Sequence, residues 1–174
     1  MSLRRHRLKK TRTGLTLPEV ITVLAVIMTV AFLVVPLRSR AAEVRLRSAA
    51  SVIVSDLEYI KNLAVNSRQY HSMIFGYDDQ SFMYKICDSE GIIAHPLRAG
   101  LPFEVHFSRD RRLRRISTMA DFDSTQAVTF DYLGSPYSGI GTQTPLLSGQ
   151  IFMQAGELKL TVYVEPVTGY VSVR

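Results

Sequence analysis

At 174 residues the chain has room for one modest folded domain and one helical extension, which excludes two large domains. The net charge of +6 lies wholly at the front: Arg4, Arg5, Arg7, Lys9, Lys10 and Arg12 account for all of it, residues 15–174 balance, and a pI near 9.7 is therefore no mark of nucleic-acid binding. The one cysteine, Cys87, excludes an intramolecular disulfide, so packing must close whatever domain forms.

Residues 1–14 form a basic leader that ends at Gly14. Leu15-Thr16-Leu17-Pro18-Glu19 then leads into a run without charge from Val20 to Leu37. A helix over 15–36 would be about 33 Å long, which matches the hydrocarbon thickness of a bilayer. The sequence therefore predicts a membrane-spanning helix half over 15–37. The basic leader orients it, with the N-terminus cytoplasmic and the remainder sent across.

Two residues are unusual for a plain anchor. Glu19 places a carboxylate at the edge of the apolar run, where an acid at a helix centre costs about 2.5–3.5 kcal/mol and less near an end. Pro18 would break a helix continuing from the leader, yet costs little among the first four residues of a helix, whose N–H groups have no intrahelical partner. A cut after Gly14 would make Pro18 the fourth residue and create an α-amino group on Leu15, one turn from Glu19 and opposite in charge. A conventional secretory signal is the rival reading, because Ser39-Arg40-Ala41 offers small residues at the right spacing. The length of the apolar run and the acid inside the segment speak against it.

After Pro36 the pattern becomes amphipathic. Ala42, Leu46, Ala49, Ile53, Leu57, Ile60 and Ala64 recur every three or four residues, which predicts a second helix half over 38–68 with one buried stripe. Pro36 removes the bond to the carbonyl of Phe32 and is the expected bend. Residues 69–174 read as a β-rich domain. Tyr70–Tyr77 and Ser81–Asp88 flank a short polar turn at Asp78-Asp79-Gln80, and Pro102–Ser108, Ala127–Tyr132 and Gln150–Ala155 are further β-rich runs. Leu158–Glu165 alternates, and Val167-Thr168-Gly169 turns it into Tyr170–Val173. Gly134 and Gly169 stand where turns demand positive φ. The fold class expected is α+β, a long N-terminal helix on an antiparallel sheet.

The stretch Gly14-Leu15-Thr16-Leu17-Pro18-Glu19, followed by a long apolar run, resembles the class III signal of type IV prepilins and type II secretion pseudopilins. The resemblance implies that a prepilin peptidase cuts between Gly14 and Leu15 and methylates the new N-terminus at Leu15, where phenylalanine is usual. It also implies that Glu19 pairs with a neighbouring subunit's N-terminus during assembly and that Pro36 is the helix-bending proline. Val128–Ser135, Thr161–Val164 and Val167–Val171 are similar to the C-terminal pattern of the GspH/FimT family of minor pseudopilins. The function so implied is that of a minor structural subunit of a type II secretion pseudopilus, aiding protein export. It would be an inner-membrane, single-pass protein with a periplasmic domain. Its expected partners are the prepilin peptidase, other pseudopilins or pilins, the membrane and a secreted protein. The alternatives are a minor type IV pilin that binds DNA in transformation, and a plain anchored protein.

Other chemistry has little support. His6, His71, His95 and His106 lack ligand spacing, so no metal is expected. Asp121 and Asp123 offer too few oxygens for calcium and read as loop residues. Cys87 has no flanking motif of a nucleophile, and Gly139-Ile140-Gly141 lacks the third glycine of a phosphate loop. No cofactor and no enzymatic activity are expected. The strongest charge feature beyond the leader is Arg109-Asp110-Arg111-Arg112-Leu113-Arg114-Arg115. Its five guanidiniums could hold phosphate or an acidic face of a partner, and its plain reading is a solvated loop.

Overall fold

The computed structural model describes residues 16–79, 81–110 and 113–174, with side chains throughout except at 32–40. Helix α1 runs Leu17–Ser67, within the residues the two periodicities mark out. The chain divides into two compact units, Met1–Ser39 and Arg40–Arg174, so the helix contributes to both.

In the first unit Thr16 sits just before the helix, and its carbonyl accepts the N–H groups of Glu19 and Val20 at 3.0 and 3.1 Å. The large apolar side chains from Leu17 to Val30 are 43–75% exposed on every side of the helix. The hydroxyl of Thr22 donates to the carbonyl of Glu19 at 2.9 Å, and that of Thr29 to Ala25 at 2.7 Å, so both polar groups turn back onto the backbone. Among the described residues no helix is long and apolar enough to cross a membrane. The rest of the apolar run, with Pro36 in it, falls in the stretch whose side chains lie outside the described residues, as does the expected bend there.

In the second unit the predicted stripe is the buried face. Leu46, Ala49, Ile53, Leu57, Ile60 and Ala64 are 0–3% exposed, Ala42 is half-buried, and Ala50 joins them. Each large aliphatic of that stripe contributes about 1.5–3 kcal/mol by leaving water. Among the described residues ten strands follow: β1 His71–Asp78, β2 Ser81–Cys87, β3 Glu104–His106, β4 Ser117–Phe122, β5 Ala127–Phe130, β6 Pro136–Ser138, β7 Thr144–Pro145, β8 Gly149–Ala155, β9 Leu158–Val164 and β10 Val171–Val173. They make two antiparallel sheets, one ordered β3-β2-β1-β5-β6-β7 and the other β10-β9-β8-β4. The fold is thus α+β, a helix packed on antiparallel sheets. One core cluster joins the helix stripe to Met73, Phe75, Tyr84 and Ile86 of the first sheet and to Phe122, Ile151, Met153 and Val162 of the second.

The β1–β2 hairpin closes at Asp78↔Ser81, with Asp79 at φ 46° as the tight turn requires. Gly134 and Gly169 adopt φ of 82° and 57°, as expected of them. Three strands went unforeseen, β4, β6 and β7, and the run expected over Pro102–Ser108 contracts to the three residues of β3. The alternation expected along β9 holds only for its second half: Val162 and Val164 are buried, whereas Leu158 beside the hairpin turn is 37% exposed.

Candidate assembly and binding sites

Of the residues singled out for processing and assembly, Gly14 and Leu15 lie outside the described residues. Glu19 is in the first helical turn, and its Oε2 accepts the N–H of Thr16 at 3.4 Å. Thr16 and Glu19 have the spacing of a capping box, in which the acid three residues into a helix reaches back to the capping residue. The carboxylate therefore has a local partner in the lone chain. The sequence Thr-x-x-Glu carried that signal, overshadowed by the anchor reading.

The arginine cluster occupies two turns. The carbonyl of His106 accepts Arg109 and Asp110 N–H at 3.2 and 3.3 Å, and that of Asp110 accepts Leu113 and Arg114 N–H at 3.1 and 3.0 Å. Leu113 and Ile116 are buried, which pins the turns and leaves Arg109, Arg114 and Arg115 exposed. Arg111 and Arg112 lie outside the described residues. Among the described residues, Arg98, Arg109, Arg114 and Arg115 make no ion pair.

Beside these turns lies a groove of about 740 Å³ that the sequence did not announce. It is lined by Val52 and Asp56 of α1, by His95, Leu97, Arg98 and Leu101 of the loop before β3, and by β3 with Arg109 and Asp110 after it. Segments some fifty residues apart in sequence converge there, which no local pattern could reveal. On the groove wall the Tyr84 hydroxyl donates to Asp56 Oδ2. Burial pushes the Asp56 carboxyl above its usual range, with the Tyr84 hydrogen bond and the nearby His95 pulling the other way. Tyr84, fully buried, is pushed well above its ordinary value by burial and by the neighbouring carboxylate.

The structure gives the histidines individual partners. His95 stacks on Phe103 with ring centroids 4.5 Å apart, and its Nδ1 accepts the N–H of Leu97 at 3.1 Å. His106 lies 3.2 Å from Asp78 and 3.7 Å from Glu104. His71 is buried with Nδ1 facing the carbonyl of Gln69 at 3.3 Å. Two of the histidines thus share the groove, yet among the described residues no group of three or more His, Cys, Asp and Glu is placed to hold a metal. Asp123 accepts the N–H groups of Leu147 and Ser148 at 2.7 and 2.8 Å, and Asp121 that of Ser124 at 2.8 Å. Both carboxylates staple loops. Burial raises the Cys87 thiol above its usual value, the reverse of what an activated nucleophile needs.

The residues of the Val128–Ser135 stretch serve the fold. Asp131 Oδ1 accepts the N–H groups of Leu133 and Ser135 at 2.9 and 2.8 Å, which shapes the turn around Gly134. Thr129, fully buried, meets the Ser72 hydroxyl at 2.7 Å and donates to the carbonyl of Gly139 at 2.7 Å.

No protein-family model matches the chain, and no curated protein matches it. Two crystal structures of the type IV minor pilin FimU from Pseudomonas aeruginosa (strain PAO1) are similar to it in fold. In space group P21 the TM-score is 0.49 over 74% of this chain and 87% of that one, and in P65 it is 0.47 over 74% and 92%, each at 15% identity. Likeness at that level assigns neither family nor role.

Proposed function

We propose that the chain is the precursor of a minor pilin-like subunit, cut between Gly14 and Leu15 and carried into a filament by its N-terminal helix. One observation carries this reading: the Gly14-Leu15-Thr16-Leu17-Pro18-Glu19 start opens a helix whose apolar side chains stay exposed from Leu17 to Val30. Such a surface belongs in lipid before assembly and among neighbouring helices afterwards. The role is structural, with the β domain displayed from the filament in the periplasm. A minor place in a type II secretion pseudopilus is the more specific form of the proposal, and it rests on the sequence resemblance.

Co-expression with a prepilin peptidase and N-terminal sequencing of the envelope protein test it. The expected product starts at Leu15 and carries one added methyl group. A product starting at Ala42 overturns the reading in favour of a secretory signal, and an uncut chain favours a plain anchor. A second reading, DNA binding by a minor pilin, draws on the exposed arginines 109, 114 and 115. Duplex affinity that falls steeply with salt and drops when these arginines become alanine would support it.

A further inference from the structure

The outer strand β3 is covered by β2 on one edge, and no described strand covers the other. Phe107 N–H donates to the carbonyl of Phe82 at 3.0 Å and Ile86 N–H to that of Phe103 at 3.1 Å, with Val105 opposite Tyr84 between them. In an antiparallel pair, residues bonded to the partner alternate with residues whose amide groups face away. The Phe103 carbonyl, Val105 and the Phe107 N–H therefore face β2, while the Phe103 N–H donates to the carbonyl of Ile93 at 2.8 Å on the same side. The carbonyl of Glu104 and the N–H of His106 are left on the outer edge. The remaining groups there are used locally, since Glu104 N–H donates to Pro102 and the His106 carbonyl accepts from Arg109 and Asp110. Among the described residues, one acceptor and one donor without a bonded partner thus flank Val105, the pair of bonds an added antiparallel strand would make.

We infer that this edge takes an extended acidic peptide, added to the six-stranded sheet beside β3. Strand β3 lines the groove of about 740 Å³, which gives the added strand room. Leu97 and Leu101, 88% and 54% exposed, also line it and offer apolar contact to side chains on one face of the peptide. Charge selects the other face. The acids of the groove have neighbours of their own: Asp56 accepts the Tyr84 hydroxyl, Glu104 lies 3.7 Å from His106, and Asp110 is itself partnered. Arg98 and Arg109 line the same groove without an ion pair among the described residues, and Arg114 and Arg115 follow close by in sequence. Uncommitted positive charge beside an open strand edge is complementary to carboxylates on an incoming strand.

The test uses the full chain in detergent micelles and fluorescence anisotropy of a labelled eight-residue peptide of alternating glutamate and valine. The inference predicts binding with a Kd below about 1 mM. A lysine–valine peptide should fail to bind, and so should the glutamate–valine peptide N-methylated at every amide. Arg98→Ala and Arg109→Ala should each weaken binding about two- to fivefold. Arg98→Glu with Arg109→Glu should transfer the preference to the lysine peptide, and thermal melts would show that these exposed substitutions leave the domain folded. Absence of binding at about 1 mM overturns the inference. So does equal binding of the methylated peptide, or indifference to charge reversal. Displacement of the peptide by duplex DNA that binds more tightly, with a steep salt dependence, would also overturn it and make the arginines phosphate contacts.

Discussion

Glu19 has one role in the structure and another in the proposed assembly, and the two separate by chemistry. As a capping residue it needs only an oxygen to accept the N–H of Thr16, which glutamine also offers. As the partner of a neighbour's α-amino group it needs its charge. Glu19→Gln should therefore keep the helix start and lose filament incorporation as fully as Glu19→Ala does, read by cross-linking in the envelope. Equal incorporation of Glu19→Gln and the parent would mean that capping alone is required. Asp56 makes a prediction about pH. Its folded carboxyl holds the proton more tightly than the unfolded value of 3.8, so the stability linked to this group is complete below that value and is lost as the pH rises through the folded value. Asp56→Asn fixes the neutral form and keeps an acceptor for Tyr84. Urea midpoints should show the variant gaining on the parent at pH 7, with the difference closing toward about pH 4. A variant less stable at pH 7 would show that the ionised Asp56–Tyr84 bond outweighs the cost of burial.

Among the elements, the helix stripe and the turns make opposite demands. Leu57 is fully buried, and Leu57→Ala should cost about 2–5 kcal/mol. Val44, two residues before the first buried member of the stripe and 67% exposed, should change stability by less than about 0.5 kcal/mol as alanine. Gly156 and Gly169 both have positive φ, but a Cβ on Gly156 meets open space whereas one on Gly169 would lie 2.5 Å from the carbonyl oxygen of Gly134 and 3.0 Å from the ring of Phe130. Gly156→Ala should cost about 1–2 kcal/mol from backbone conformation alone. Gly169→Ala should cost clearly more, measured by the same denaturant titration, because the turn must leave the Gly134 loop. These elements also show what was legible. The stripe was readable because large aliphatics repeat every three or four residues. Strand β4 escaped because its inward residues are Thr118, Ala120 and Phe122, of which only one is large and apolar, and β6 and β7 are two or three residues long with a proline in each.

For the molecule as a whole, every described residue of the core cluster lies between Leu46 and Val171. A chain beginning at Arg40 should therefore fold by itself and melt in one cooperative transition, with the amide dispersion of a packed domain in solution spectra. A molten product would show that the first helix half is needed for the second unit to form. The groove belongs to this scale too. Asp56, Arg98, Val105 and Arg109 come together only once the helix, the loop before β3 and the turns after it have packed, so its existence could not be read from any one of them.

The amino-acid order by itself determined the exposed apolar start of the helix with Glu19 near its end, the buried stripe from Leu46 to Ala64, the hairpins and their glycine turns. Each follows from periodicity, charge or a backbone conformation that a few adjacent residues dictate. Only the tertiary structure decided that the strands divide into two sheets, and that β3 keeps an outer edge no described strand covers, beside arginines that make no ion pair among the described residues. Those properties depend on which distant segments exclude water from one another, and that choice is made by the whole chain at once.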